Sequence, residues 1–250
     1  MPVRVCVGGI TGWTGSAVAA AVEAADGLEL VSGVARSDPT RFSTVAEALD
    51  GAEVDVFVDF TRADAVKANV HAALDRRVAV VVGSSGLSAA DYSEIDERAR
   101  AAGGGVVAAG NFSLTAALLL RFATEAAQRL GSWEVIDYAS FGKPDAPSGT
   151  ARELADRLDG VRPPAIGVPV AETLGTPEAR GATVGATQVH SVRLPSFSVS
   201  TEIVFADTDE RLSIRHDAGS TAAPYVKGTL IAIREVGQRI GLIRGLDQLL

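Results

Sequence analysis

Short apolar runs alternate with helical patterns over the first half of the chain. β-Branched and other apolar residues predict strands at residues 3–7, 28–34, 54–58, 79–82 and 105–109. Between these runs lie alanine-rich segments whose apolar residues recur at helical spacing. Thr61 with Asp64, and Ser88 with Asp91, have the capping-box pattern that starts a helix. Repeated strand–helix units predict a parallel sheet with helices on both faces.

The pattern changes after Ser113. A long helical segment, residues 114–130, precedes a strand at residues 133–140, and β-rich runs follow at residues 188–194, 198–206 and 211–216. These strands predict a mixed or largely antiparallel sheet of four strands that is exposed on one side. Between them, residues 163–180 contain prolines and no periodicity, which predicts a surface segment or lid. An apolar helix is predicted at residues 222–238.

The predicted fold class is therefore α/β, with two domains. An N-terminal Rossmann-type dinucleotide-binding domain would comprise residues 1–112 and be joined by a C-terminal helical segment, residues 217–250. A C-terminal α+β domain with the four-stranded mixed sheet would comprise residues 113–216.

Composition excludes several classes of function. The net charge of −8 argues against a nucleic-acid or membrane surface, so an anionic ligand needs a local site. Cys6 stands alone in a buried-type strand, and the three histidines are scattered, so neither a disulfide nor a metal site is expected. The N-terminus has no signal-peptide pattern and no apolar run is long enough to span a membrane. We expect a cytoplasmic protein.

A glycine-rich turn follows the first predicted strand. Gly9, Gly12 and Gly15 have the spacing G-x-x-G-x-x-G, and an alanine-rich helix comes next. Strand, glycine turn and helix form the context of a dinucleotide fingerprint, although such turns also occur without ligands. The residues predicted to bind the cofactor here are Gly9, Ile10, Thr11, Gly12, Trp13, Thr14 and Gly15.

The ends of the other strands add to this cofactor site. Arg36 follows the second strand, where an acidic residue would bind the ribose of NAD, and its guanidinium suits the 2′-phosphate of NADP. A solvated loop arginine is the simpler interpretation of Arg36. Ligands of parallel sheets lie at the carboxyl ends of the strands. Further cofactor contacts are therefore expected from Gly83, Ser84, Ser85, Ala109, Gly110, Asn111 and Phe112.

The loop at residues 141–150 carries the second candidate site. Its two prolines and two glycines exclude helix and strand, and a helical pattern starts immediately after it. The loop therefore brings Ser148, Gly149 and Thr150 to a helix N-terminus, where amides and the helix dipole favour an anion. Lys143 adds an ammonium group nearby. The motif predicts a carboxylate site, and ordinary turn-and-cap chemistry is the alternative.

Over nearly its whole length the sequence resembles the dihydrodipicolinate reductase family. The matching segments are residues 9–15, 59–61, 83–86, 111–113, 143–151, 189–194 and 210–216. The resemblance implies an NAD(P)H-dependent reductase of a cyclic imine dicarboxylate in the diaminopimelate and lysine pathway. It implies Lys143 as catalytic residue and proposed proton donor, and Ser140, Ser148, Gly149 and Thr150 as substrate-binding residues. It also implies that residues 113–216 bind substrate and form a homotetramer. NADPH is the expected cofactor, with NADH as the alternative.

One departure from the family pattern affects the substrate site. The family has two adjacent histidines shortly before the lysine, and this chain has Ala139 and Ser140 there. Asp137 and Tyr138, just upstream, are candidate substitutes, but strand residues facing core or solvent are the simpler interpretation. Two alternatives therefore stay open: a reductase of a different imine or oxo-acid, and a cofactor-binding protein without catalysis. Retention of the Lys143 loop argues against the second alternative.

Overall fold

The computed structural model describes all 250 residues and divides into two compact units. The first unit comprises Met1–Leu114 and Thr221–Leu250, and the second comprises Thr115–Ser220. None of the helices combines the length and apolar character that a membrane span requires.

The first unit is built on a six-stranded parallel sheet. Its elements are β1 (Val3–Gly8), α1 (Trp13–Ala24), β2 (Leu28–Val34), α2 (Val45–Gly51), β3 (Val56–Asp59), α3 (Val66–Leu74), β4 (Ala79–Val82), α4 (Ala89–Ala102), β5 (Gly105–Ala108), α7 (Ala223–Val236) and β11 (Gly241–Arg244). The strand order is β11-β5-β4-β3-β1-β2, with every neighbouring pair parallel. This is the predicted Rossmann-type arrangement.

Helices cover both faces of this sheet. The apolar sides of α2, α3 and α4 pack on one face, where Phe57 and Val80 are fully buried, and α1 packs beside α7. Cys6 is also buried in this core, and burial raises the pKa of its thiol to about 11, so the thiol stays protonated.

The second unit contains a five-stranded mixed sheet backed by helices. Its elements are α5 (Leu114–Ala127, beginning at the last residue of the first unit), β6 (Ser132–Ser140), α6 (Gly149–Asp159), β7 (Ala182–Val184), β8 (Thr187–Leu194), β9 (Val199–Ala206) and β10 (Arg211–Ala218). The order is β10-β9-β6-β8-β7, in which only the β6–β8 pair is parallel. Alternate residues of β6, from Trp133 to Ala139, point to the buried face, where α5 and α6 contribute Leu119, Leu120 and Leu154.

Three elements differ from the sequence prediction. The second sheet has five strands rather than four, because the short β7 pairs with β8 at the edge. The C-terminal segment is not helical throughout: after α7 it adds β11 to the first sheet. Thr61 does not cap α3, which begins at Val66 without a side-chain cap, whereas Ser88 and Asp91 form the predicted capping box.

Candidate functional site

The glycine turn after β1 is held by close backbone contacts. Gly9 has φ +74°, and a Cβ on it would lie 2.2 Å from the carbonyl oxygen of Phe60. A Cβ on Gly15 would lie 2.1 Å from the carbonyl oxygen of Gly9, so α1 packs directly on the turn. Gly12 is the N-cap of α1, and its amide donates to the Gly9 carbonyl at 2.8 Å. The turn therefore presents the start of α1 at the carboxyl edge of the sheet.

A cavity of about 540 Å³ opens beside this turn, within the first unit. Gly9, Thr11 and Gly12 form one side of it, and Arg36 lines it from the end of β2. Arg36 is exposed, and the residue before it, Ala35, offers no carboxylate. Arg62 also lines the cavity, with its guanidinium paired to Asp64 at 3.1 Å.

Not every residue of the turn faces this cavity. Ile10 is 7 % exposed and packs against Gly33, so its side chain belongs to the core. Trp13 is 59 % exposed and makes an edge contact with Tyr225 of α7. Thr14, like Trp13, does not line the cavity.

A buried carboxylate connects the ends of β3 and β4. Asp59 is 0 % exposed, and its Oδ1 accepts hydrogen bonds from the Thr61 hydroxyl at 2.7 Å and the Ser84 hydroxyl at 2.6 Å. Its Oδ2 accepts from the Asn69 side-chain amide at 2.9 Å. The Ser84 hydroxyl is thus fixed by Asp59, and the Thr61 hydroxyl takes part in this network instead of capping a helix. Sequence reasoning noted Asp59 only as part of a motif and missed Asn69; a buried strand ending in Asp was the available signal.

The remaining predicted cofactor residues follow β4 and β5. Gly83 packs on the ring of Phe60, which in turn makes an edge contact with Phe112, and Ser85 is exposed. Ala109 and Phe112 are buried, while Asn111 accepts the Ser113 amide at 2.8 Å. Gly110 is exposed between them. The cavity beside Arg36 is lined by Phe60 but by none of the predicted residues that follow β4 and β5, although these strands are neighbours in the sheet.

These features fit a dinucleotide. The positive φ of Gly9 and the tight Gly15 contact leave no room for side chains, so the backbone of the turn and the N-terminus of α1 are open to a pyrophosphate. Arg36 supplies a cation at the same cavity.

The second candidate site lies at the start of α6. Ser148 is the N-cap: it is 2 % exposed, and its hydroxyl accepts the Ala151 amide at 3.4 Å. Gly149 is exposed, and a Cβ on it would meet nothing within 4 Å, so the space in front of the helix is open. Thr150 is 7 % exposed in the first turn. The Ala146–Pro147 peptide bond, directly before the N-cap Ser148, is cis.

Lys143 lies on the same loop and is only partly exposed. Its ammonium group is 2.7 Å from the Asp145 carboxylate. Burial would raise the pKa of Asp145, but the hydrogen bond and charge of Lys143, a backbone hydrogen bond and the charge of Arg193 together outweigh burial and hold that pKa below its usual value. The loop therefore carries one cation and leads directly into one helix N-terminus, with Asp145 as the present partner of the cation.

The two positions where the family has histidines differ in environment. Ala139 is 0 % exposed and points into the core, whereas Ser140 is exposed at the end of β6. Ser140 accepts the Lys143 amide through its carbonyl at 3.0 Å. Neither side chain can supply a proton near neutral pH.

Sequence reasoning underrated one residue of this unit. Asp137 faces the buried side of β6 and accepts the backbone amide of Ser148 at 2.8 Å. Tyr138 faces the opposite side, where its hydroxyl donates to Glu202 at 3.1 Å.

Comparisons with known proteins agree over the whole chain. The family model "Dihydrodipicolinate reductase, N-terminus" matches residues 3–112, and "Dihydrodipicolinate reductase, C-terminus" matches residues 115–250. The 4-hydroxy-tetrahydrodipicolinate reductase of Beutenbergia cavernae is 40 % identical over 250 residues, covering 99 % of this chain and 98 % of that protein. The enzyme of that name from Nocardia farcinica is 39 % identical over 254 residues, covering 100 % and 99 %.

A solved structure has the same fold. The dipicolinate-bound dihydrodipicolinate reductase from Paenisporosarcina sp. TG-14 superposes with a TM-score of 0.86 at 27 % identity, covering 100 % of both chains. Together with the two matched halves, these similarities establish that the chain belongs to the dihydrodipicolinate reductase family of NAD(P)H-dependent oxidoreductases.

Proposed function

We propose that the chain reduces 4-hydroxy-tetrahydrodipicolinate with a nicotinamide nucleotide, as part of the diaminopimelate route to lysine. The proposal rests on the loop from Lys143 to Thr150. This loop carries a cation and leads into a helix N-terminus. The chain also matches this reductase family over both of its halves. Relatives up to 40 % identical are reductases of this name.

The substrate side of the reaction is assigned to the loop. A substrate carboxylate would be bound by the first-turn amides of Gly149 and Thr150, the Thr150 hydroxyl and the helix dipole, with the exposed Ser140 at the rim. Ser148 orients this turn by capping it. Lys143 would exchange its contact with Asp145 for the substrate and serve as proton donor.

The cofactor side is assigned to the first unit. The residues proposed to hold the nucleotide are Gly9, Ile10, Thr11, Gly12, Trp13, Thr14, Gly15, Arg36, Gly83, Ser84, Ser85, Ala109, Gly110, Asn111 and Phe112. When bound, the nucleotide supplies a hydride. One hydride and one proton enter the ring and one water leaves, which converts the 4-hydroxy compound to tetrahydrodipicolinate.

NADPH is the proposed cofactor, with NADH as the alternative. Arg36 lines the cavity beside the glycine turn, and Ala35 leaves no acidic residue there to repel a 2′-phosphate. A phosphate-bearing cofactor would gain a charge-assisted contact that NADH lacks.

A second function is favoured by one observation. Ala139 is fully buried and Ser140 cannot titrate, so the histidine pair of the family has no counterpart at these positions. This change is compatible with a different imine or a related oxo-acid as the substrate.

The experiment that separates these functions is a substrate comparison. Purified protein is mixed with NADPH and with enzymatically generated 4-hydroxy-tetrahydrodipicolinate, and in parallel with monocarboxylate imines and oxo-acids. We expect NADPH oxidation and tetrahydrodipicolinate formation with the dicarboxylate at the highest kcat/KM. A higher kcat/KM for another acceptor would replace the first function by the second.

A further inference from the structure

A buried ion pair lies directly beneath the Lys143–Thr150 loop. Asp137 is 0 % exposed, and its Oδ2 accepts hydrogen bonds from the Ser148 amide at 2.8 Å, the Arg193 guanidinium at 2.8 Å and the Ser191 hydroxyl at 3.2 Å. One carboxylate oxygen therefore joins β6, β8 and the start of α6. A buried carboxylate is stable only when it is paired and hydrogen-bonded in this way.

Arg193 adds a second connection to the same loop. It sits opposite Ala139 in the parallel pairing of β6 with β8, and its side chain is 17 % exposed. The terminal nitrogen that binds Asp137 also donates to the backbone carbonyl of Asp145 at 2.8 Å, and the other terminal nitrogen donates to the carbonyl of Asp137 at 3.2 Å. The pair thus holds the loop at two points, Asp145 and Ser148.

These two points lie on either side of the residues that lead into the helix. Asp145 is the ion partner of Lys143, and Ser148 is the N-cap that precedes Gly149 and Thr150. A change in the pair therefore moves the cation and the helix amides relative to each other, although neither Asp137 nor Arg193 contacts either group.

We propose that Asp137 and Arg193 are positioning residues that set the spacing between Lys143 and the N-terminus of α6, and so determine affinity for a dicarboxylate. This inference rests on the proposed function of the loop. It also accounts for an acidic side chain beneath a site for anions: Arg193 neutralises the carboxylate, whose Oδ2 holds the loop while its buried Oδ1 has no hydrogen-bond partner.

The test measures binding of dipicolinate, a dicarboxylate that does not react, by calorimetry on the whole protein. Asp137→Asn keeps the shape and one acceptor oxygen but loses the charge that holds Arg193. Because this change removes a charge-assisted hydrogen bond, we expect dipicolinate affinity to fall about tenfold or more. NADPH affinity should be unchanged, and KM for the substrate should rise more than kcat falls.

Two further variants separate positioning from folding. Arg193→Lys keeps the positive charge beside Asp137, but a lysine cannot contact Asp137 and the Asp145 carbonyl at the same time. We therefore expect a smaller loss of dipicolinate affinity than in Asp137→Asn. Asp159→Asn is the matched control, because Asp159 also accepts a backbone amide, that of Ala186 at 2.9 Å, at the far end of α6. It should lower the melting temperature without changing dipicolinate affinity.

Each outcome decides one point. If Asp137→Asn binds dipicolinate as tightly as the unaltered protein while only the melting temperature falls, the pair is structural and the inference is wrong. If the unaltered protein reduces the substrate normally, that result leaves the proposed function standing. If the unaltered protein neither binds dipicolinate nor reduces the substrate, the proposed function fails and the inference fails with it.

Discussion

Single charges decide how each candidate site can bind an anion. Lys143 is compensated by Asp145 at 2.7 Å, so a substrate carboxylate has to compete with an internal one. Arg36 is exposed beside a backbone turn, and Arg62 at the same cavity is paired with Asp64. Of the two arginines at the cavity, Arg36 is therefore the better candidate for a phosphate.

Replacing Arg36 tests this assignment. Arg36→Ala is expected to weaken NADPH binding about tenfold or more and to leave NADH binding nearly unchanged, because only NADPH carries the 2′-phosphate. The measurement is fluorescence titration of both cofactors.

Arg41 provides the matched control. It is an exposed arginine of the same connecting segment and does not line the cavity, so Arg41→Ala should preserve the preference for NADPH. Equal loss of affinity in the two variants would mean that the effect is general electrostatics rather than a phosphate contact.

At the level of secondary structure, packing between strands, turns and helices positions the residues of both candidate sites. The glycine turn is packed closely on two sides, because Gly9 lies against the Phe60 carbonyl after β3 and Gly15 of α1 lies against the Gly9 carbonyl. Asp59 and Asp137 have parallel tasks in their units: each is a buried carboxylate on a strand that accepts backbone or side-chain donors from the next elements.

Gly9→Ala tests the turn. The new methyl group would lie 2.2 Å from the Phe60 carbonyl in a left-handed backbone, so we expect loss of NADPH binding together with a lower melting temperature. Gly27→Ala is the control, since Gly27 has φ +77° and nothing within 4 Å of its Cβ. Gly27→Ala should lower the melting temperature through backbone strain but retain NADPH affinity. Unchanged NADPH binding in Gly9→Ala would contradict the assigned role of the turn.

The sequence pattern predicted most of the helices and strands, but it missed two short strands. Strands β1 to β5 and the glycine turn follow from local periodicity and turn chemistry, so they were predictable. β7 is only three residues long, and β11 has only two adjacent apolar residues, Leu242 and Ile243, so neither has the apolar run that marks β3 and β4. β11 pairs with β5, which is distant in sequence, so tertiary contacts decide this pairing, whereas β7 pairs with its sequence neighbour β8.

The same limit applies to the sites. Lys143 and Ser148 were predictable because loop and helix cap are neighbours in the chain. Asp137 and Arg193 are 56 residues apart and meet only through the β6–β8 pairing, so no local pattern could connect them. Thr61 shows the opposite case. Its capping-box pattern is present in the sequence, but its hydroxyl donates to the buried Asp59 carboxylate instead of capping a helix.

At the scale of the whole molecule, we propose a homotetramer formed through the second sheet. One face of this sheet is covered by α5 and α6, and the other presents Ile136 and Val204 beside a cavity of about 560 Å³. Residues 164–167 and Arg180 also line this cavity, but no α-helix of the unit covers this face, and such a face is typical of an interface.

Light scattering tests the assembly. We expect four times the mass of one chain at micromolar concentration, and a lower mass for Val204→Lys, which places a charge on the uncovered face. Ile240→Lys is the control, because Ile240 is 64 % exposed in the first unit. A monomeric mass for the unaltered protein would refute the proposal.

The substrate site is tested most directly by comparing the activities of the unaltered protein and Lys143→Ala. The rate of NADPH oxidation is measured with enzymatically generated 4-hydroxy-tetrahydrodipicolinate, with Lys227→Ala, an exposed lysine of α7, as control. Loss of a charged contact worth about 1.5–3 kcal/mol predicts a fall in kcat/KM of about ten- to a hundredfold for Lys143→Ala. NADPH affinity and melting temperature should be unchanged, and Lys227→Ala should be fully active. Full activity of Lys143→Ala on this substrate would contradict the assignment of the loop as the substrate site.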